Sequence, residues 1–249
     1  MTISLIIPCY NEEVNIAKGV LDTIGNFTKN DARFAEVLII DDGSIDHSKK
    51  IIQKKYLTHY KKFRLIENSH QGKAYAIITG IHASKGEYIF FSDFDLATPI
   101  EESEKLIHEM GKGNDIVIGS RKKVRKGAPF LRKLMAVGFI FIRNVVIGLK
   151  GISDTQCGFK LFNRNVALAL VEKLRVFHKA RKKTLGSSVT AGFDLEVLFL
   201  ARKLGYTIKE TQVIWNHVET KRVNFIRDSL EAISDILKIK WCEIKGEYR

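Results

Sequence analysis

The sequence predicts an α/β fold: a mostly parallel sheet with helices on both faces, followed by a C-terminal segment of different character. Short apolar runs rich in Ile, Val and Phe recur through the first half of the chain, the form taken by strands buried on both faces. Helix-length stretches separate them, which makes a βαβα series with parallel strands and right-handed crossovers. Two of the runs end in carboxylate pairs, Asp41-Asp42 after Val37 to Ile40 and Asp93-Phe-Asp95 after Tyr88 to Ser92. The C-terminal ends of parallel strands are where open α/β sheets bind ligands.

In chain order, Ile3 to Pro8 reads as the first strand and Glu12 to Phe27 as a helix with acids in its first turn, where the helix dipole favours them. Val37 to Ile40 is the second strand. Ser44 to Tyr60 is a helix opened by a Ser cap, with Asp46 in its first turn. Phe63 to Glu67 is a third strand, Lys73 to Ser84 a third helix, Tyr88 to Ser92 a fourth strand, Ile100 to Met110 a fourth helix and Asp115 to Gly119 a fifth strand. From about residue 121 the alternation stops. A basic segment (Lys122, Lys123, Arg125, Lys126) leads into an apolar stretch over 130 to 149, then Asp154-Thr-Gln-Cys-Gly-Phe-Lys160 and a second basic cluster (Lys179, Arg181, Lys182, Lys183) that ends at Gly186-Ser-Ser188. No repeat or linker marks a boundary, so one domain over 1–249 is expected.

With 249 residues, 45% of them hydrophobic, the chain can bury a sizeable core. Forty-one Lys plus Arg against 28 Asp plus Glu give a net charge of +13, which implies an anionic partner: nucleotide, phospholipid surface or nucleic acid. The nucleic-acid alternative has charge as its only support, because no helix-turn-helix, zinc or RNP-type motif accompanies it. Cys9, Cys157 and Cys242 are far apart and lack metal-ligand spacing, so structural thiols in a reduced, intracellular protein are expected. Met1 to Pro8 runs into Cys9-Tyr-Asn-Glu12 with no basic segment or cleavage site, and no secretory leader is expected. The apolar stretch to Leu149, interrupted by Arg143 and Asn144, is shorter than the roughly twenty residues a membrane span needs. It suits a core helix or, flanked by Lys and Arg, a helix lying on an anionic membrane.

The spacing of the acids carries the chemistry. Adjacent Asp41 and Asp42 point to opposite sides, whereas Asp93 and Asp95 can face one ligand if the chain stays extended. Two hard oxygen donors converging on one point suit a divalent cation, Mg²⁺ or Mn²⁺, that holds a diphosphate. An Asp after a strand can instead cap the next helix, and Thr98-Pro-Ile-Glu-Glu102 has the form of a helix start; a cap does not need two acids at i and i+2. Likewise Asp41-Asp42-Gly43-Ser44 could be a tight turn, and Asn11-Glu12-Glu13 and Asp194-Leu-Glu196 acid-rich helix starts. A Gly72-Lys73 pair opening a helix could meet a phosphate through backbone N–H groups and the ammonium, although the P-loop spacing is absent.

In order, Ile7-Pro-Cys-Tyr-Asn-Glu-Glu13, Ile40-Asp-Asp-Gly-Ser-Ile-Asp46, Asp93-Phe-Asp-Leu-Ala-Thr-Pro-Ile-Glu-Glu102, Gly119-Ser-Arg121, Asp154 to Phe162, Gly192-Phe-Asp-Leu-Glu196 and the tail Val213-Ile-Trp-Asn-His217 with Val223 to Leu230 resemble the family 2 glycosyltransferases of the GT-A fold. The likeness is to the dolichyl-phosphate and polyprenyl-phosphate hexosyltransferases, and the wording at 95–100 and 154–162 is nearest the β-glucosyltransferases. Ala97 departs from the pattern, since relatives often carry Gln there.

The resemblance implies an inverting, metal-dependent transfer of a hexose, first UDP-glucose and alternatively GDP-mannose, to a lipid phosphate, or to a saccharide in a more distant family relative. It assigns residues 1–120 to the nucleotide-sugar half and 121–249 to the acceptor and membrane-facing half. Asp95 is the first metal ligand, with Asp93 beside it on metal, ribose or sugar. Pro8, Tyr10, Asn11 and Glu12 line the nucleotide pocket, Tyr10 near the base, and Asp42 binds the base edge. Lys73 and Arg121 take phosphate, and Asp194 positions acceptor or donor sugar, with a base role second. Arg202, Lys203, His217 and Arg227 are expected in surface or intramolecular pairs. The implied place is peripheral, at the cytoplasmic face of a membrane, alone or with a membrane-protein partner.

Overall fold

A computed structural model describes residues 1–121, 130–179, 191–216 and 225–248. Both basic clusters from Lys122 to Lys126 and from Arg181 to Lys183, the Gly186–Ser188 segment and His217 lie outside the described residues, as do the side chains of 130–137, Lys179 and Arg227.

The first half follows the expected alternation. β1 (Ile3–Cys9), β2 (Phe34–Asp41), β3 (Phe63–Glu67), β4 (Tyr88–Phe91) and β5 (Ile116–Arg121) are the five expected strands. Between them run α1 (Glu13–Ala17), α2 (Val20–Lys29), α3 (Ser48–Ile51), α4 (Leu57–His59), α5 (Lys73–Ala83) and α6 (Ser103–Met110). Beyond lie α7 (Phe130–Val146), β6 (Lys160–Asn163), α8 (Arg164–Glu172), α9 (Val176–Lys179), α10 (Ala191–Lys203), β7 (Ile208–Val213) and α11 (Phe225–Ile244).

Two expected helices come out differently. The single helix over 12–27 is broken at Gly19, whose φ of 83° ends α1 and starts α2. The helix expected to open at Ser44 begins at Ser48, because the Ser44 hydroxyl instead accepts the Asn11 N–H at 3.0 Å. It then passes through a π-helical turn over Ile52–Tyr56 before α4. Residues 100–102 form a 3₁₀ turn ahead of α6.

The strands form one sheet in the order β3-β2-β1-β4-β6-β5-β7. All pairings are parallel except those of β6, which runs antiparallel between β4 and β5. Side chains alternate across it as period-two strands must. Leu5, Ile7, Val37 and Ile39 join the core beneath α2 and α6, whereas Ile6, Leu38 and Ile40 join the core beneath α5, α8 and α10. Fully buried Ile side chains at this density each contribute about 1.5–3 kcal/mol relative to exposure. The chain leaves β1 for β2 and β3 on one side and returns to β4 on the other, so a crevice opens at the C-terminal ends of β1 and β4.

Candidate active site

The β1 and β2 loops are locked together on one side of that crevice. Asn11 adopts a left-handed backbone, φ 55°, which Asn tolerates. Its Oδ1 accepts the Ile45 N–H at 2.9 Å and the Asp46 N–H at 3.3 Å. The Glu12 N–H donates to Ser48 Oγ at 2.8 Å, and the Glu13 N–H to Asp46 Oδ2 at 3.1 Å. The Asn11, Asp46 and Ser48 side chains therefore tie the two loops together through backbone N–H groups. Burial, reinforced by the Asp95, Asp46 and Asp93 charges, raises the Glu12 carboxyl above its ordinary range despite the bond from Asn15. Pro8 pairs with Ile40 inside the sheet.

Asp42 is 2% exposed and its carboxylate is engaged by the β3–α5 loop. It accepts the Gly72 N–H at 2.7 Å and the Gln71 N–H at 3.1 Å, and lies 2.8 Å from His70 Nδ1. His70 in turn stacks on Tyr10, with ring centroids 4.0 Å apart and 15° between planes. Asp42, expected at a base edge, thus seats a Tyr10–His70 stack. Of the Gly72-Lys73 pair, read as able to meet a phosphate, the Gly72 N–H is already taken by that carboxylate.

On the other side, past β4, the acids divide. Asp93 forms an ion pair with Lys73, the first residue of α5. Burial works against its charge, but Lys73, and beyond it Lys160 and Arg121, hold the carboxyl below the ordinary range. Burial likewise opposes the Lys73 ammonium and is outweighed by Asp93, Asp194 and Asp95, which raise its pKa. Asp95 has no cation partner among the described residues. Its Oδ1 accepts the Ala97 N–H at 3.0 Å, and burial followed by the Asp93 charge raises its pKa.

Two further ion pairs complete the arc. Arg121 grips Asp154 with Nε at 2.6 Å and Nη2 at 2.8 Å, and lies 5.7 Å from the Trp215 ring centroid. Asp154 is itself placed by Glu210 of β7, which accepts its N–H at 2.7 Å. Lys160 is 1% exposed and donates to Asp194 Oδ1 and the Cys157 carbonyl, both at 2.6 Å. Glu196, two residues on from Asp194, is fully buried away from the crevice. It accepts the N–H groups of Arg175, Val176 and Phe177 and the Tyr248 hydroxyl, which makes it structural.

The 154–160 segment belongs to the half expected to take the acceptor, but the roles of two of its members were not expected. A Cβ on Gly158 would overlap the Asp93 carboxylate, so only glycine leaves that acid its place. Lys160 belongs to an apolar strand, and a lysine inside Lys160-Leu-Phe162 is the signal that could have disclosed a buried partner. His70 carried no comparable signal, since its stack joins residues 60 positions apart. Arg202 donates to the Lys150 carbonyl and Lys203 pairs with Glu243 at 3.2 Å, the intramolecular roles expected of them. All three cysteines are free and buried, and burial pushes the Cys157 thiol up to about 11.

Of the apolar stretch, α7 presents Phe141 and Val145 to solvent, 67% and 64% exposed. Arg143, which interrupts the apolar stretch, turns inward: it is 1% exposed and donates to the Ile152 carbonyl. Among the described residues, no helix is long and apolar enough to cross a membrane.

The sequence model of glycosyl transferase family 2 matches residues 4–171. The chain is 32% identical over 265 residues to a dolichyl-phosphate beta-glucosyltransferase of Dictyostelium discoideum, which covers 99% of this chain and 76% of the relative. It is 33% identical over 269 residues to the Homo sapiens protein of the same name, over 99% of this chain and 77% of that one. The fold is similar to that of glucosyl-3-phosphoglycerate synthase from Mycobacterium tuberculosis in complex with UDP, with a TM-score of 0.67 at 17% identity over 96% of this chain and 80% of the other. The same synthase with Mn²⁺, UDP-glucose and phosphoglyceric acid gives 0.66 at 17% identity, again over 96% and 80%.

Proposed function

The chain belongs to glycosyl transferase family 2, and on that premise we propose that it moves glucose from UDP-glucose to a dolichyl or polyprenyl phosphate, with inversion and with a divalent cation. The observation that carries this reading is the charge arrangement at the crevice, joined to the near full-length likeness to dolichyl-phosphate beta-glucosyltransferases. Three carboxylates are each matched by a cation, Asp93 by Lys73, Asp154 by Arg121 and Asp194 by Lys160, and among the described residues Asp95 is left unmatched.

An unmatched, closed-in carboxylate fits a divalent cation. Among the described residues no group of three or more His, Cys, Asp or Glu could hold a metal, which suits an ion that keeps waters and takes its remaining oxygens from a diphosphate. Asp95 would hold the ion, with Asp93 beside it and the Lys73 ammonium placed for phosphate. The bound cation would neutralise charge on the departing diphosphate.

The chain's own residues supply the rest. Tyr10, the locked 11–13 segment and the loop held by Asp42 form the nucleoside side of the crevice. Lys73 and Arg121 place positive charge where two phosphates must meet. A lipid phosphate is already ionised, so attack on the anomeric carbon demands little of a general base. Asp194, held by Lys160, then serves to orient a sugar hydroxyl. The exposed face of α7 with Phe141 and Val145 lies toward a membrane surface, where the lipid phosphate is presented, and the enzyme is peripheral there.

Transfer of labelled sugar from UDP-glucose, GDP-mannose or UDP-N-acetylglucosamine into extractable polyprenyl phosphate, with Mg²⁺ or Mn²⁺, tests the proposal. Label is expected from UDP-glucose. Label from another donor alone would replace the sugar, and none from any donor would remove the lipid acceptor.

A further inference from the structure

Two non-glycine residues among those described have a left-handed backbone, Asn11 at φ 55° and Leu96 at φ 48°. They follow the C-terminal ends of β1 and β4, the paired strands that flank the crevice. Asn11 is explained by its amide, whose oxygen accepts two backbone N–H groups of the β2 loop. Leu96 has no such device. A bulky side chain holds this conformation only where its surroundings over-determine it, and such residues concentrate where geometry serves function.

The surroundings of Leu96 do over-determine it. Its N–H donates to the Asp93 carbonyl at 3.3 Å, the Ala97 N–H to Asp95 Oδ1 at 3.0 Å, and the Asn216 N–H to the Ala97 carbonyl at 2.7 Å. Phe94, 3% exposed, is in the core beneath α2 and α6, and the Leu96 side chain packs half-buried against the same core. Apolar side chains thus go inward on either side of Asp95. In an extended chain Asp93 and Asp95 would share a face with equal access; the left-handed turn ends that equivalence, leaving Asp93 with Lys73 and Asp95 folded back on Ala97.

We propose that Leu96 is a positioning residue: its left-handed turn, pinned by the core, aims the Asp95 carboxylate at the cation and diphosphate. This rests on the donor and cation reading given above. It makes a prediction opposite to that of a packing role. Filling space ranks substitutions Val above Ala above Gly. Holding a left-handed turn ranks Gly and Asn above Ala, and places β-branched Val last.

Calorimetric titration of UDP into the intact chain with Mn²⁺, repeated without the ion, separates the two. L96G and L96N are expected to bind the UDP and Mn²⁺ pair within about threefold of wild type, and L96V about tenfold or more weakly, the scale on which such strain acts. UDP binding without the ion should be alike in all three and reports that the pocket is folded. If L96V does not fold, L96A takes its place, expected weaker than L96G and L96N. Binding that follows side-chain volume, with L96V or L96A at least as tight as L96G, overturns the positioning role alone. No binding by the wild-type chain overturns it together with the functional reading beneath it.

Discussion

Asp93 and Asp95 are two positions apart and have opposite electrostatics. Burial and the neighbouring Asp93 charge raise Asp95, so its ionised form costs the folded chain stability once the pH exceeds that raised pKa, and the cost is absent below the ordinary carboxylate range. For Asp93, burial is outweighed by Lys73, Lys160 and Arg121, and the lowered pKa adds stability that is present above the ordinary range and lost as pH falls through the lowered value. At neutral pH without divalent ions, Asp95→Asn should raise the thermal midpoint and Asp93→Asn should lower it. Both shifts should shrink under acid. Scanning calorimetry across pH checks this, and shifts of the same sign in the two variants would count against the division. The paired carboxylates were legible in the sequence from strand ends and spacing. Their unequal roles were not, because Lys73 is 20 residues from Asp93 and Leu96 sets its turn through the core.

At the level of elements, β6 does what no strand of a plain βαβα series would do. It enters antiparallel between β4 and β5 and carries the 154–163 segment into the middle of the sheet. Gly158 thereby lies against Asp93, and Lys160 reaches the first turn of α10 to hold Asp194. Lys160→Met should leave Asp194 with an unpaired charge and cost about 3 kcal/mol in urea denaturation. Adding Asp194→Asn should recover more than half of that loss, since the coupling resides in the pair. Equal costs for the single and double variants would show that the lysine matters only as packing. The four-residue strand escaped sequence reading because Lys160-Leu-Phe-Asn163 is too short to show a period, and α8 begins at the next residue.

For the whole molecule, the two halves drawn at residue 120 share one sheet, because β6 and β7 from the second half flank β5 from the first. The likeness to glucosyltransferases that act on dolichyl phosphate gives the exposed Phe141 and Val145 face of α7 its proposed purpose. Substituting both by Glu should reduce transfer to polyprenyl phosphate in anionic vesicles tenfold or more while UDP binding stays unchanged, as measured by labelled transfer beside calorimetry. Unchanged transfer would detach α7 from the lipid. The sequence by itself determined the α/β class, the five parallel strands of the first half and the carboxylates at two strand ends, because strand burial and helix periodicity are local properties written in neighbouring residues. Only the tertiary structure decided the antiparallel β6, the inward turn of Arg143, the Tyr10–His70 stack and the pairing of each site cation with its acid. Those depend on contacts between residues brought together across tens of positions, where burial and charge, rather than local propensity, choose the partner.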